Sequence, residues 1–256
     1  MTEAPLTPPA APSGAAAVFG DRMPWARRFA EILADTGVSH GLIGPREVTR
    51  LWDRHLLNCA VIEDSFPPST RVIDVGSGAG LPGLVLALVR PDLEMHLVEP
   101  MLRRTTWLTT VVDELDLANV TVHRGRAEEF VGSLSAPWVT ARAVARLDKL
   151  ARWCAPLLDA DGTLAAMKGR SATQELEEDR PALDRMGLRT AMVSEHGASV
   201  LDEPVLTVDL TFVRASTRPE GPRGRGVARS AESDRRRGWP PARAVPRRRM
   251  FHVKHR

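Results

Sequence analysis

No apolar run in this 256-residue chain approaches the roughly 20 residues that cross a bilayer, so the sequence offers no membrane-spanning helix. The first residues, MTEAPLTPPAAPSGAAA, lack a basic stretch and are interrupted by prolines. They are not expected to be a secretory signal. Cysteine is nearly missing: Cys59 and Cys154 stand far apart, without the spacing of a metal site. That excludes a disulfide framework and points to two buried, reduced thiols in the cytoplasm. His252 and His255 form H-x-x-H with no further ligands nearby, so no metal is expected, because a closed zinc site needs four. No internal repeat is present.

With 43% hydrophobic and 26% charged residues, the chain suits one globular domain with tails. The net charge of +3 hides an asymmetry. Residues 215–256 hold 13 Lys and Arg against 3 Asp and Glu, a net of +10, which leaves the remainder at −7. Any nucleic-acid role of the body must therefore rest on local patches. The arginine triplets at 235–237 and 247–249 suit either non-specific contact with phosphates or a solvated extension.

Residues 1–20 are rich in Ala and Pro and are expected to be disordered. A helix is expected from Pro24 to Gly37, with Trp25, Phe29, Ile32 and Leu33 on one face. A second fits Pro45 to Ile62, where Val48, Leu51, Trp52, Leu56 and Cys59 recur at helical spacing. Beyond 67–69 the pattern changes. Strand-length apolar runs at 71–75, 93–99, 120–125, 138–143 and 162–169 alternate with helical segments at 81–89, 101–115 and 147–158. A broken helix is expected over 171–187, and strands near 189–195 and 205–214 form a hairpin edge. Such alternation predicts an α/β fold whose parallel sheet is covered on both faces. The expected divisions are a disordered 1–20, a helical extension over 21–66, a sheet domain over 67–215 and a disordered basic tail over 216–256.

The stretch RVIDVGSGAGLPG, residues 71–83, follows the first strand. Ligands of open parallel sheets sit beyond the carboxyl ends of the strands, so this loop is the natural floor of a pocket. Gly76, Gly78 and Gly80 let the backbone turn sharply and approach a ligand closely. Gly78 to Gly83 also satisfies G-x-G-x-x-G, so a dinucleotide must be weighed. Glu99 ends the next strand, where an acid recognises a ribose diol, which nicotinamide cofactors and S-adenosylmethionine share. Two features favour the latter. Asp74 completes D-x-G-x-G-x-G, the methyltransferase form of the loop, and Pro82 removes a helix-terminal donor that a pyrophosphate would use.

DVGSGAGLPG, LVEPMLRRTTWL, RAEEF at 126–130, TARAVARLDKL at 140–150 and MKG at 167–169 together resemble the RsmG (GidB) family over roughly residues 25–215. These are bacterial methyltransferases acting on guanine N7 in small-subunit ribosomal RNA. The resemblance implies a class I methyltransferase fold: a seven-stranded, mostly parallel, Rossmann-like sheet with an antiparallel last hairpin and an N-terminal helical extension. It implies S-adenosyl-L-methionine as cofactor, with contacts at Gly76, Gly78, Leu81, Glu99, Ala127, Glu128 and Arg142. It implies 16S ribosomal RNA, at its 530-loop region, or the small ribosomal subunit as partner. A monomer is expected. The chain departs from the family's usual pattern in its Arg103-Arg104 pair and in having no tyrosine.

Guanine N7 has a lone pair and no proton to lose, so no catalytic base is expected; the enzyme mainly fixes distance and angle. Candidate RNA contacts are Arg142, Arg146 and Lys168, near the ends of the fourth and fifth strands, and His55, each of which is alternatively a surface charge or a packing residue. Trp107 and Trp153 are expected in the core. Three other functions stay open from sequence: a nicotinamide-dependent oxidoreductase on the same loop, a non-enzymatic RNA-binding protein, and a small-molecule methyltransferase.

Overall fold

A computed structural model describes residues 6–213. The basic tail assigned to 216–256 and the H-x-x-H pair lie outside the described residues. The body is an α/β sandwich on a seven-stranded sheet of order β3-β2-β1-β4-β5-β7-β6. The strands are β1 Arg71–Val75, β2 Glu94–Glu99, β3 Val120–Arg124, β4 Ala136–Arg142, β5 Leu158–Lys168, β6 Leu188–His196 and β7 Val205–Phe212. β1 to β5 pair in parallel, and β7 runs antiparallel between β5 and β6. The expected closing hairpin is thus present, with β7 inserted and β6 on the edge.

Successive strand residues point to opposite faces, and both faces are covered. On one, Val72, Met95, Leu97 and Ala165 pack with α4 (Gly83–Val89), α5 (Leu102–Glu114) and the N-terminal helices. On the other, Ile73, Val139, Ala141 and Leu164 pack with α6 (Leu147–Cys154) and α7 (Ala172–Arg185). Both cysteines are buried and free. Among the described residues no helix is long and apolar enough to cross a membrane.

Three sequence expectations need correction. Disorder over 1–20 fails at its end, because Ser13–Phe19 forms α1. Ala15 and Phe19 are buried there, Phe19 meets Trp52 edge-on at 6.2 Å, and the Trp52 indole donates to the Pro9 carbonyl at 3.0 Å. Composition could not reveal this, since the partner lies more than thirty residues on. The expected second helix is helical but irregular: Pro45–Arg50 is a 3-10 turn, Leu51–Leu56 is π-helical, Leu57–Ala60 is α3, and Val61–Ser65 is again 3-10. The first extension helix, α2 (Met23–Ile32), also runs into a π segment, Leu33–Gly37. Finally, α7 is continuous despite Pro181. The carbonyl deprived of a donor is that of Glu177, an exposed residue, and Glu175 and Asp179 anchor the helix by accepting the Leu147 and Asp148 N–H groups at 2.7 and 3.0 Å.

Candidate functional site

The glycine loop is tied down by two acids from the strands beneath it. Asp74 is fully buried, and its Oδ2 accepts the Gly83 N–H at 3.0 Å. Its other oxygen has no partner among the described residues, and burial pushes the carboxyl up to about 7. Glu99, 1% exposed, accepts the Gly78 N–H on one oxygen and the Met101 N–H on the other, both at 3.0 Å. Arg104 lies 3.6 Å from the same carboxylate.

This bonding decides between the two cofactor classes that the loop motif allows. A pyrophosphate needs free N–H groups at the loop and helix start. Here the Gly80 and Leu81 N–H groups both donate to the Ser77 carbonyl, at 2.7 and 3.1 Å. Gly78 and Gly83 donate to carboxylates, and Pro82 has no N–H to give. The helix start is closed to a pyrophosphate and flanked by two acids.

Beside the loop, at the carboxyl ends of β1, β2 and β4, lies a cavity of about 410 Å³. That is within the range of small-molecule sites, about 300–1,000 Å³. Of the residues expected to hold a cofactor, Gly76, Glu99, Ala127, Glu128 and Arg142 line it. Ala127 and Glu128 are presented by a 3-10 turn, Ala127–Phe130, whose start is capped by Glu129 accepting the Arg126 N–H at 3.0 Å. Gly78 and Leu81 are not in the wall: Gly78 is bound to Glu99, and Leu81 packs on the core beneath the loop. Trp107 is buried as expected, its indole donating to the Thr36 hydroxyl at 2.9 Å. Trp153 is not a core residue. It is half-buried and lines the cavity, with the Lys149 ammonium 5.0 Å from its ring centre. It packs against the core on one side and lines the cavity on the other, a margin position that periodicity alone does not distinguish from the interior.

A second, wider cleft of about 1,030 Å³ adjoins the cavity. Its walls come from the N-terminal helices (Ser13, Arg50, Arg54), the end of β5 (Lys168, Arg170) and the β6–β7 loop (Leu201, Glu203). Arg142 and Ala143 line both spaces. The Arg142 guanidinium donates to the Cys59 Sγ at 3.0 Å, the Arg54 carbonyl at 3.0 Å and the His55 Nδ1 at 3.1 Å. Lys168 reaches the cleft but is bound to the Ala145 carbonyl and to Glu175, both at 2.8 Å. Arg146 does not join them: it lines neither space and is paired with Glu178 and Asp179. His55 is buried and lines neither space, touching the site only through Arg142. Sequence reasoning missed Arg50, Arg54 and Arg170. The only signal was their positive charge, which a solvated helix face shares.

A family model described as rRNA small subunit methyltransferase G matches residues 22–201. The chain belongs to this family. It is 55% identical over 209 residues to the ribosomal RNA small subunit methyltransferase G of Streptomyces avermitilis, covering 81% of this chain and 87% of that one. With the Streptomyces coelicolor protein of the same name it shares 50% identity over 243 residues, covering 93% and 100%. The crystal structure of TYW2 from P. horikoshii in complex with MeSAdo superposes with a TM-score of 0.51 over 63% of each chain, at 11% identity. That likeness concerns the fold, a class I methyltransferase sheet as expected. Family membership removes the nicotinamide oxidoreductase reading, in agreement with the closed helix start.

Proposed function

We propose that this protein is a cytoplasmic, monomeric enzyme that transfers a methyl group from S-adenosylmethionine to N7 of a guanine in the 530-loop region of 16S ribosomal RNA. The observation that carries the reading is the junction at Arg142 and Ala143, which line both the cavity beside the glycine loop and a cleft with four arginines in its walls. A small donor and a base of a large anionic substrate would meet there.

The cavity's own groups fit the donor. Each Glu99 oxygen accepts one backbone N–H, and a carboxylate offers about four acceptor positions, so capacity remains for a ribose diol. Gly76 brings backbone into the wall where a Cβ would stand 3.0 Å from Val144. Ala127, Glu128 and Arg142 complete the holding set. When bound, the cofactor supplies an electrophilic methyl group. The chain's part is to orient: Glu99 fixes the loop, Arg142 marks the boundary of the two spaces, and Arg50, Arg54 and Arg170 meet phosphates. An unstacked base from an RNA loop can enter such a cleft. Because N7 carries no proton to lose, the transfer needs no base, and alignment supplies the rate.

The test is mass mapping of methylated guanines in ribosomal RNA from cells with and without the protein, with calorimetric titration of S-adenosylmethionine. Loss of one N7-methylguanine in the 530 loop, with measurable cofactor affinity, is the expected result. An unchanged methylation map would overturn the substrate assignment.

A further inference from the structure

Arg142 differs from Arg146 and Lys168 in what holds it. Arg146 and Lys168 are paired with carboxylates. Arg142 makes no ion pair among the described residues; its three acceptors are a thiol, a backbone carbonyl and an imidazole nitrogen. Its charge is therefore left for a ligand, while its direction depends on weak, neutral acceptors. Of the three, only the imidazole changes its bonding capacity with pH.

A guanidinium has donors and no acceptor, so the Nδ1 of His55 must accept from it. The ring proton then sits on Nε2, which donates to Glu47 Oε2 at 2.9 Å. The tautomer is set by its two neighbours. A second proton on the ring would place an N–H against the guanidinium at a separation of 3.1 Å, replacing a hydrogen bond by two facing donors. We propose that His55, oriented by Glu47, is the residue that positions Arg142 at the junction of cavity and cleft, and that it does so only while its ring is neutral. This rests on the reading of the two spaces given under the proposed function.

The surroundings agree. The His55 side chain is 10% exposed. Burial first, and then the Arg142 charge, hold its pKa below the ordinary histidine value, against the opposing pull of Glu47. The charged and titratable groups around the pair are Glu47 and Arg50 from the 3-10 turn, Arg54 from the π segment, and, around Arg142, Cys59 and Asp74. Four of these stand in sequence within nine residues of His55, all on the irregular helical stretch over 45–65. The π segment ends at Leu56, immediately after His55. Such bulges recur where a helix must redirect a side chain at a functional site.

The test uses the full-length protein and isosteres that split the two contacts. In His55→Asn the amide oxygen takes the place of Nδ1 and keeps an acceptor for Arg142. In His55→Gln the amide stands in for Nε2, keeping Glu47 and losing the acceptor. Methylation of small-subunit RNA should show kcat/KM of the Gln variant below that of the Asn variant by about 10-fold, the scale of one lost hydrogen bond to a charged group. The wild type should lose kcat/KM in acid, and that limb should be absent from the Asn variant. Glu47→Gln should move the limb to lower pH, because it removes the charge that favours the protonated ring. Independently of turnover, ring-nitrogen NMR shifts of the ligand-free protein should report an unprotonated Nδ1, with a titration matching the acid limb. Equal activity of the Asn and Gln variants, or an acid limb that persists in His55→Asn, would overturn the proposal. Failure of the wild type to methylate the RNA at all would instead sink the functional reading on which it stands.

Discussion

The cavity takes its walls from the ends of β1, β2, β3 and β4, from the turns that follow them, and from Trp153 of α6. The cleft takes its walls from five stretches, at 12–14, 50–58, 142–143, 167–170 and 200–206. Around the cavity, acids at the ends of two neighbouring strands bond the glycine loop: Glu99 holds the loop, and Asp74 holds the helix start. Around the cleft, cations project from elements that meet only because the helical extension is docked on the sheet. The cavity is thus built within the sheet domain, from strand ends and the turns that follow them, and a change in one turn acts on it directly. The cleft is a property of assembly, in which single side chains matter less and their joint position matters more.

The most damaging single change should lie in the loop. Gly80 has φ +76°, and a Cβ there would stand 2.4 Å from Leu84 Cδ1. Gly80→Ala should cost about 2–5 kcal/mol in overpacking and backbone strain, with loss of cofactor binding. Gly78, at φ +55°, has nothing nearer to such a Cβ than the Gly76 carbonyl at 3.8 Å. Gly78→Ala should cost only about 1 kcal/mol. Thermal unfolding and calorimetry on both variants would check the ordering, and equal losses would show that space around the loop does not govern it.

Next in size, Glu99→Ala removes the acceptor of two backbone N–H groups as well as the proposed ribose contact. Cofactor affinity should fall by about 1.5–3 kcal/mol, roughly 10- to 150-fold. RNA affinity should hold. A cofactor dissociation constant that does not move would take Glu99 out of the site.

The cleft should behave oppositely. Arg50→Ala should leave cofactor binding within about twofold, as for distant independent sites. It should weaken RNA binding and reduce the salt dependence, by about 0.7 in the log–log slope if it meets one phosphate of a single strand. An unaltered slope would place Arg50 outside the RNA path.

A pH dependence is expected as well. The Asp74 carboxyl is raised by burial from 3.8 to about 7, so between these values the folded chain binds more protons than the unfolded one. Its contribution to stability is full below about pH 4 and is lost as pH rises through 7. Asp74→Asn keeps an acceptor for the Gly83 N–H and removes the titration. Denaturant unfolding across pH 4–8 should show wild type losing stability relative to the variant as pH rises; parallel curves would mean Asp74 stays ionised throughout.

Much of the fold was readable in the chain itself. Apolar runs at strand spacing, alternating with helical ones, determined the parallel sheet, because a strand buried on both faces has to be continuously apolar. The loop with Asp74 and Glu99 determined which end of the sheet carries the cavity and limited the chemistry it could take, because backbone turns and strand-end acids are local features. Tertiary structure alone decided the rest. α1 is ordered through Trp52, Trp153 packs at the margin of the core where it also lines the cavity, and Arg146 is neutralised by α7 while Arg142 is not. The role of His55 depends on a strand end 87 residues away. Charge and periodicity state what a side chain is able to do; which partner stands opposite it is set by how distant elements pack, and that carries no local signal.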